Sequence, residues 1–254
     1  MNKIKEEKMK KLIVMMTICL AMLLSASVAK ADLTLDVTYR DFEQSHPDMY
    51  WPDGPWGLET GIVSNTLGLD SKPVYAGGAG AAGTTSGAAN FDQWYHDSSA
   101  STTITGRTLT FQEIGSGEYQ YSSNSFFPLN DLVSSGNNYY FTMELHTTFT
   151  YQAGQEFEFE GDDDVFVFIN NQLVIDLGGV HEPISRTLDL DTLGLTADTN
   201  YSFDLFFAER NPTQSDFIAT TNIAFDEPIV PVPGALLLGL LGFGATGIKL
   251  RRFA

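Results

Sequence analysis

The sequence predicts an all-β fold, an antiparallel β-sandwich, and three observations carry that prediction. The stretch QEFEFEG (155–161) alternates strictly, with Phe157 and Phe159 on one face and Glu156, Glu158 and Glu160 on the other. Such alternation marks a half-buried strand. VFVFI (165–169) is apolar at every position, the pattern of a central strand covered on both sides. Asn170-Asn171 then offers two residues that tolerate positive φ, so QLVID (172–176) returns as the second strand of a tight hairpin.

The remaining elements follow the same logic. NNYYFTMELHTTFTY (137–151), NYSFDLFFAER (200–210) and DFIATTNIAF (216–225) are rich in aromatic and β-branched residues and read as further strands. No long helical period appears between residues 32 and 228. Several strands separated by turn signals favour one sandwich domain over two smaller ones. Residues 76–89, AGGAGAAGTTSGAA, contain only Ala, Gly, Ser and Thr. They offer little apolar surface to offset ordering, so a flexible loop is expected there.

Both ends differ from this body. Lys3, Lys5, Lys8, Lys10 and Lys11 precede an apolar stretch from Leu12 to Leu24, and Ala29-Lys30-Ala31 follows. This is the layout of a secretory signal peptide over 1–31, with a mature start at Asp32. The one cysteine, Cys19, falls inside it, so the body must hold together without disulfides. After Pro228, the tail 229–254 carries Pro231 and Pro233, an apolar segment 234–248, then Lys249, Arg251 and Arg252. With Ile229 and Val230 it reaches membrane-spanning length, and its cationic tip would stay in the cytoplasm. The Pro-x-Pro, glycine-punctuated apolar helix and basic end resemble a PEP-CTERM sorting signal, although Val232 stands where that motif has glutamate. The resemblance implies transient anchoring in the inner membrane, processing by an exosortase-type enzyme, and release to the cell surface or extracellular matrix.

The chain has 32 acidic and 14 basic residues, a formal net charge of −18. Between Asp32 and Pro228 the basic residues are Arg40, Lys72, Arg107, Arg186 and Arg210 alone. A surface this acidic repels nucleic acid, which is excluded as a partner, and it suits divalent cations and neutral polysaccharides. For most of the carboxylates, solubility is a sufficient account.

Asp162, Asp163 and Asp164 crowd together just before the apolar strand. Their mutual repulsion calls for compensation by water, a proton or a metal ion. The spacing lacks the glycine and ligand positions of an EF-hand, and a solvated turn with Gly161 is the simpler alternative. Trp94-Tyr95 either stacks on a sugar ring or belongs to the core. His181, after Gly178-Gly179, either lines a site or braces a loop. Glu209-Arg210 suits an ion pair bracing its loop. There is no G-x-S-x-G elbow, no H-E-x-x-H and no cysteine in the body; His46, His96, His146 and His181 are scattered. The sequence therefore reads as a binding protein and not an enzyme.

Six phrases, in order, resemble the fibro-slime domain. They are RDFEQSHPDMY (40–50), ETGIVSNTLGLDSKPVYAG (59–77), FDQWYHD (91–97), FFPLN (126–130), FEGDDDVFVFINNQLVIDLGGVH (159–181) and FFAERNPTQSDF (206–217). That family is similar to the protective-antigen-type lectin β-sandwich. In the adhesin branch of that fold, two aspartates joined by a cis peptide hold a calcium ion that binds sugar hydroxyls. The resemblance implies Ca2+ held by Asp162 and Asp163, with Asn211 and Asp216 as further ligands; Asp164 and His181, from the same phrase, and Trp94, as a stacking aromatic, are the candidate ligand-binding residues. It implies an exported, calcium-dependent carbohydrate-binding or adhesion module of a surface or biofilm matrix, partnered by extracellular polysaccharide. The alternative is a structural matrix or surface-coat protein that binds no small ligand.

Overall fold

The computed structural model describes residues 32–77, 83–115 and 117–226. The expected signal peptide, the tail with its apolar segment, and positions 78–82 of the Gly/Ala stretch lie outside them. Among the described residues no helix is long and apolar enough to cross a membrane.

Ten antiparallel strands form the body: β1 (Leu33–Phe42), β2 (Ser101–Gly115), β3 (Glu118–Ser123), β4 (Phe141–Thr150), β5 (Glu156–Gly161), β6 (Asp164–Ile169), β7 (Gln172–Leu177), β8 (Ile184–Asp189), β9 (Asn200–Glu209) and β10 (Phe217–Thr221). Among the described residues there is one short α-helix, α1 (Ala88–Phe91). The strand order is β7-β6-β9-β4-β1-β2-β3-β10-β5-β8. The long β2 joins the two layers, pairing with β1 through residues 101–111 and with β3 from Gln112 onward.

Alternation decides what each strand buries. In β5 the expected pattern holds: Phe157 and Phe159 are buried and the glutamates between them exposed. Every residue of β6 is buried. Val165, Val167 and Ile169 enter the main core between the layers, while Phe166 and Phe168 enter a second cluster on the outer side. That cluster, with Met49, Ile62, Phe91, Trp94 and Tyr95, is closed by the long segment between β1 and β2. Asn170 and Asn171 have φ of 50° and 62°, so the hairpin forms at the expected turn.

Part of the Gly/Ala stretch is anchored. Thr84 is fully buried, and its N–H and hydroxyl both donate to Glu59 Oε2, at 2.7 and 2.6 Å. Ser86 donates N–H and hydroxyl to Asp48 Oδ1.

Candidate functional site

The three aspartates stand at the end of β6, where successive side chains point to opposite faces. Asp162 Oδ1 accepts the Asp216 N–H, which ties it to the loop after β9. Asp163 accepts the His181 N–H at 3.2 Å with Oδ1 and the Arg210 N–H at 2.9 Å with Oδ2. Asp164 accepts the Gly179 N–H at 2.7 Å and the Arg210 Nε–H at 2.6 Å. The bond between Asp162 and Asp163 is trans; among the described residues the cis peptide is Gly54–Pro55. The cis arrangement implied by the adhesin resemblance is thus not the conformation seen.

The glycine pair 178–179 places the far wall. Gly57 N–H donates to Val180 O and Glu59 N–H to Gly178 O, each at 2.6 Å, so the segment 56–59 lies directly over the pair. A Cβ on Gly179, whose φ is 99°, would sit 2.3 Å from Gly57 O, and one on Gly178 2.5 Å from Glu59 O. Only glycine allows that approach. Gly179→Ala is expected to cost about 2 kcal/mol or more through strain and clash, read as a lower urea midpoint. It should also displace Trp56, seen as a shift in tryptophan emission.

The segment so held carries Trp56, 60% exposed, to the mouth of a cavity of about 360 Å³. Its indole N–H is fixed by Trp51 O at 2.7 Å. Asp162, Asp163, His181, Glu182 and Asn211 line the rest of the wall. His181 Nδ1 lies 2.9 Å from Glu182 O. A carbonyl only accepts, so Nδ1 carries a proton, and Nε2 is buried without a hydrogen-bond partner.

Behind the cavity lies Arg210, fully buried. Besides Asp164 it reaches Thr84 O at 2.6 Å and Asp48 O at 3.2 Å, and its guanidinium lies 4.6 Å from the Trp94 ring centroid. Trp94 is itself 0% exposed and donates to Asp48 Oδ2. Trp94 therefore belongs to the interior, the second of its two readings, and not beside a glycan. Asp164 likewise does not reach the cavity, because Arg210 and Gly179 occupy both its oxygens. Glu209 and Arg210 do not pair: adjacent on a strand, they point to opposite faces, and Arg210 is taken by Asp164.

The buried acids of this region outnumber the one buried cation beside them, Arg210, and burial favours their protonated forms. Burial pushes the Asp162 carboxyl up to about 6, with Asp216 adding to the rise. Burial also holds Asp163 well above the usual carboxylate range, against the opposing pull of Arg210. Glu209 is raised well above its range by burial and then by Asp163 and Asp162. Asp216 Oδ1 is buried without a hydrogen-bond partner, and Glu209 is hydrogen-bonded to the Ser215 side chain. A cluster of carboxylate oxygens suits a hard, oxygen-seeking cation in composition. Among the described residues no three acidic or histidine side chains converge on one point.

Of the sequence-derived site residues, Asp162, Asp163, His181 and Asn211 share the cavity, and Asp216 is tied to its edge through Asp162. Trp56 was not among them. The turn-rich WPDGPWG (51–57) carries the signal, since a tryptophan between Pro55 and Gly57 sits on an exposed turn.

Residues 131–226 match the PA14 domain. Protein psiR of Dictyostelium discoideum is 32% identical over 239 residues, covering 87% of this chain and 24% of that protein. Protein psiD of the same organism is 37% identical over 187 residues, covering 66% and 37%. This chain thus spans well under half the length of these relatives. Among solved structures, the PA14 sugar-binding domain from an RTX adhesin aligns with a TM-score of 0.39 at 15% identity, covering 78% of this chain and 96% of that one. Epithelial adhesin 6 of Candida glabrata, in complex with Galb1-3GlcNAc, aligns with a TM-score of 0.31 at 14% identity, covering 82% and 84%. The chain is similar to the PA14 domain across residues 131–226, the stretch that contains β4 to β10 and every acid of the site.

Proposed function

We propose that this chain is an exported surface or matrix protein whose sandwich binds carbohydrate at the Asp162–Asp163 cavity with the help of calcium. The observation that carries the reading is the cavity itself, which joins Asp162, Asp163, His181 and Asn211 to an exposed tryptophan. The PA14 match over the same residues supports it. In this reading Asp162, Asp163, Asn211 and Asp216 hold the ion. Calcium, when bound, supplies a doubly charged anchor for vicinal hydroxyls. Trp56 offers its face to the apolar side of a sugar ring, and the unpartnered His181 Nε2 hydrogen-bonds a sugar hydroxyl. The fibro-slime phrases and the PEP-CTERM-like tail extend the proposal to delivery, through a transient membrane anchor and an exosortase-type enzyme, to the surface or matrix. The activity is binding without turnover.

A glycan array probed with the purified chain in calcium and in chelator tests this. Binding to a neutral glycan in calcium, lost in chelator, is the expected result. Trp56→Ala should weaken it about tenfold without changing the unfolding midpoint, because the side chain is largely exposed. A blank array in calcium would sink the carbohydrate reading. The surface-coat alternative is favoured by the backbone N–H bonds that Asp162 and Asp163 accept, since these brace loops without any ligand. Matrix cohesion that persists in an Asp162→Asn, Asp163→Asn double variant would select it.

A further inference from the structure

We infer that Asp48 is a positioning residue of the binding cavity, whose carbonyl oxygen ties the aromatic wall to the acid wall through Trp51 and Arg210. The inference rests on the binding reading above, and it concerns two residues, Asp48 and Trp51, that do not line the cavity.

The connection runs through four hydrogen bonds. The Trp56 indole N–H donates to Trp51 O at 2.7 Å. The Trp51 indole N–H donates in turn to Asp48 O at 3.2 Å. Arg210 Nη1 donates to the same oxygen, also at 3.2 Å. The main-chain N–H of Arg210 then donates to Asp163 Oδ2 at 2.9 Å. A carbonyl oxygen has two lone pairs, and here each wall supplies one donor. Trp56 and Asp163 both line the cavity, so its two sides meet at one oxygen.

Asp48 is held so that this oxygen stays in place. The residue is fully buried, in the β1–β2 connection. Its N–H donates to His46 Nδ1, Oδ1 accepts the N–H and hydroxyl of Ser86, and Oδ2 accepts the Trp94 indole N–H. Every polar atom of Asp48 therefore has a partner. The chain has three tryptophans, and all three indole N–H groups end on Asp48 or on Trp51. An aromatic side chain as exposed as Trp56 loses rotamer freedom when a ligand orders it. Pinning its indole through Trp51 to a buried anchor sets the ring before the ligand arrives, which holds a contact group in its working geometry.

Trp51→Phe tests this, because it removes the N–H that reaches Asp48 and keeps both a ring and the carbonyl that Trp56 uses. With isotopically labelled tryptophan, the Trp56 indole N–H signal is assigned by its loss in Trp56→Ala. In Trp51→Phe that N–H is expected to exchange with water about tenfold faster, the equivalent of one net hydrogen bond. Ser86→Ala is the control: it weakens the hold on the Asp48 carboxylate and leaves the carbonyl path intact. Its unfolding midpoint should fall while Trp56 exchange stays as in wild type. Unchanged exchange in a folded Trp51→Phe would overturn the role of Asp48, and so would equal acceleration in both variants, which is general loosening. If circular dichroism shows that Trp51→Phe does not fold, the wild type carries the test. A Trp56 N–H exchanging as fast as that of free tryptophan would then overturn the inference. Affinity for a glycan bound in calcium should also fall about tenfold in Trp51→Phe, and unchanged affinity despite faster exchange would overturn the bearing on binding. A wild type that binds no glycan overturns the carbohydrate reading, and the exchange rates alone then decide the positioning.

Discussion

Replacing Asp164 with alanine is expected to destabilise the protein by about 3–5 kcal/mol, the usual cost of leaving a buried charge without its partner. Arg210 and Asp164 are both fully buried, and their side chains meet at 2.6 Å. Without Asp164, the guanidinium keeps only neutral acceptors, Thr84 O, Asp48 O and Thr84 Oγ1, and the face of Trp94. The Gly179 N–H loses its acceptor at the same time. The effect is read from the urea midpoint, with the slope unchanged if unfolding stays two-state. A loss below about 1 kcal/mol, the range of exposed ion pairs, would show that water reaches the pair. A double replacement, Asp164→Leu with Arg210→Met, should recover a good part of the loss, because neither partner is then left charged. The same pair holds the 83–87 segment and the strap bearing Trp56 to the sheet, so Asp164→Ala should also abolish glycan binding.

The second large effect is on pH. In chelator, stability is expected to fall as pH rises from about 4 to 7. Burial lifts the Asp162 pKa to about 6 from an ordinary 3.8. An acid whose pKa is raised by folding binds its proton more tightly in the native state, so its contribution is present at low pH and lost between those two values. Two units correspond to about 2–3 kcal/mol. Asp163 and Glu209 are shifted in the same direction and deepen the decline. His146 adds to it above its ordinary range: burial lowers its pKa, but Asp204 and Glu144 outweigh burial and raise it. Glu144 runs the other way. Burial would raise it, but His146, Lys72 and Arg40 together bring it to about 2. Its contribution is therefore lost below pH 4.5 and touches the window only at its acid edge. Calcium at pH 7 should restore stability by mass action on the native state. Urea midpoints measured from pH 4 to 7, with and without calcium, check both parts. A profile in chelator that is flat or rising across that range would contradict the burial of these acids.

How much of this was legible depends on the kind of signal. The strands β5, β6, β7 and β9 and the Asn170-Asn171 turn follow from alternation and turn chemistry, because each buries at least one clean apolar face. The long β2 is less visible: STTITGRTLTFQEIG buries only Leu109 and Phe111 and has Gly106 in its middle, so no apolar period stands out. β1 is different, since Leu33, Leu35 and Val37 alternate with Thr34, Asp36 and Thr38 and can be read in the same way as β5. For the site, sequence proximity identifies the crowd of aspartates but not which way each one faces. The strand boundary settles that: Asp164 is the first residue of β6 and lies on the Phe166 side, with Arg210, while Asp163 turns the other way. Trp94 and Trp56 are alike in composition, and only the burial of one beneath the β1–β2 segment separates their roles.

The position of β2 in the strand order bears on where this protein can be cut. The segment 131–226 supplies β7-β6-β9-β4 at one end of the order and β10-β5-β8 at the other. β1, β2 and β3, which link β4 to β10, all come from residues 33–123. A fragment starting at residue 131 would consist of two separate sheets, each with a newly bare edge strand open to pairing with other chains. It would also lack Trp56, Thr84 and Asp48, and with them the support of Arg210. The stretch that bears the recognisable motif is thus shorter than the unit that folds. An expression fragment meant to carry the binding site has to begin before Leu33.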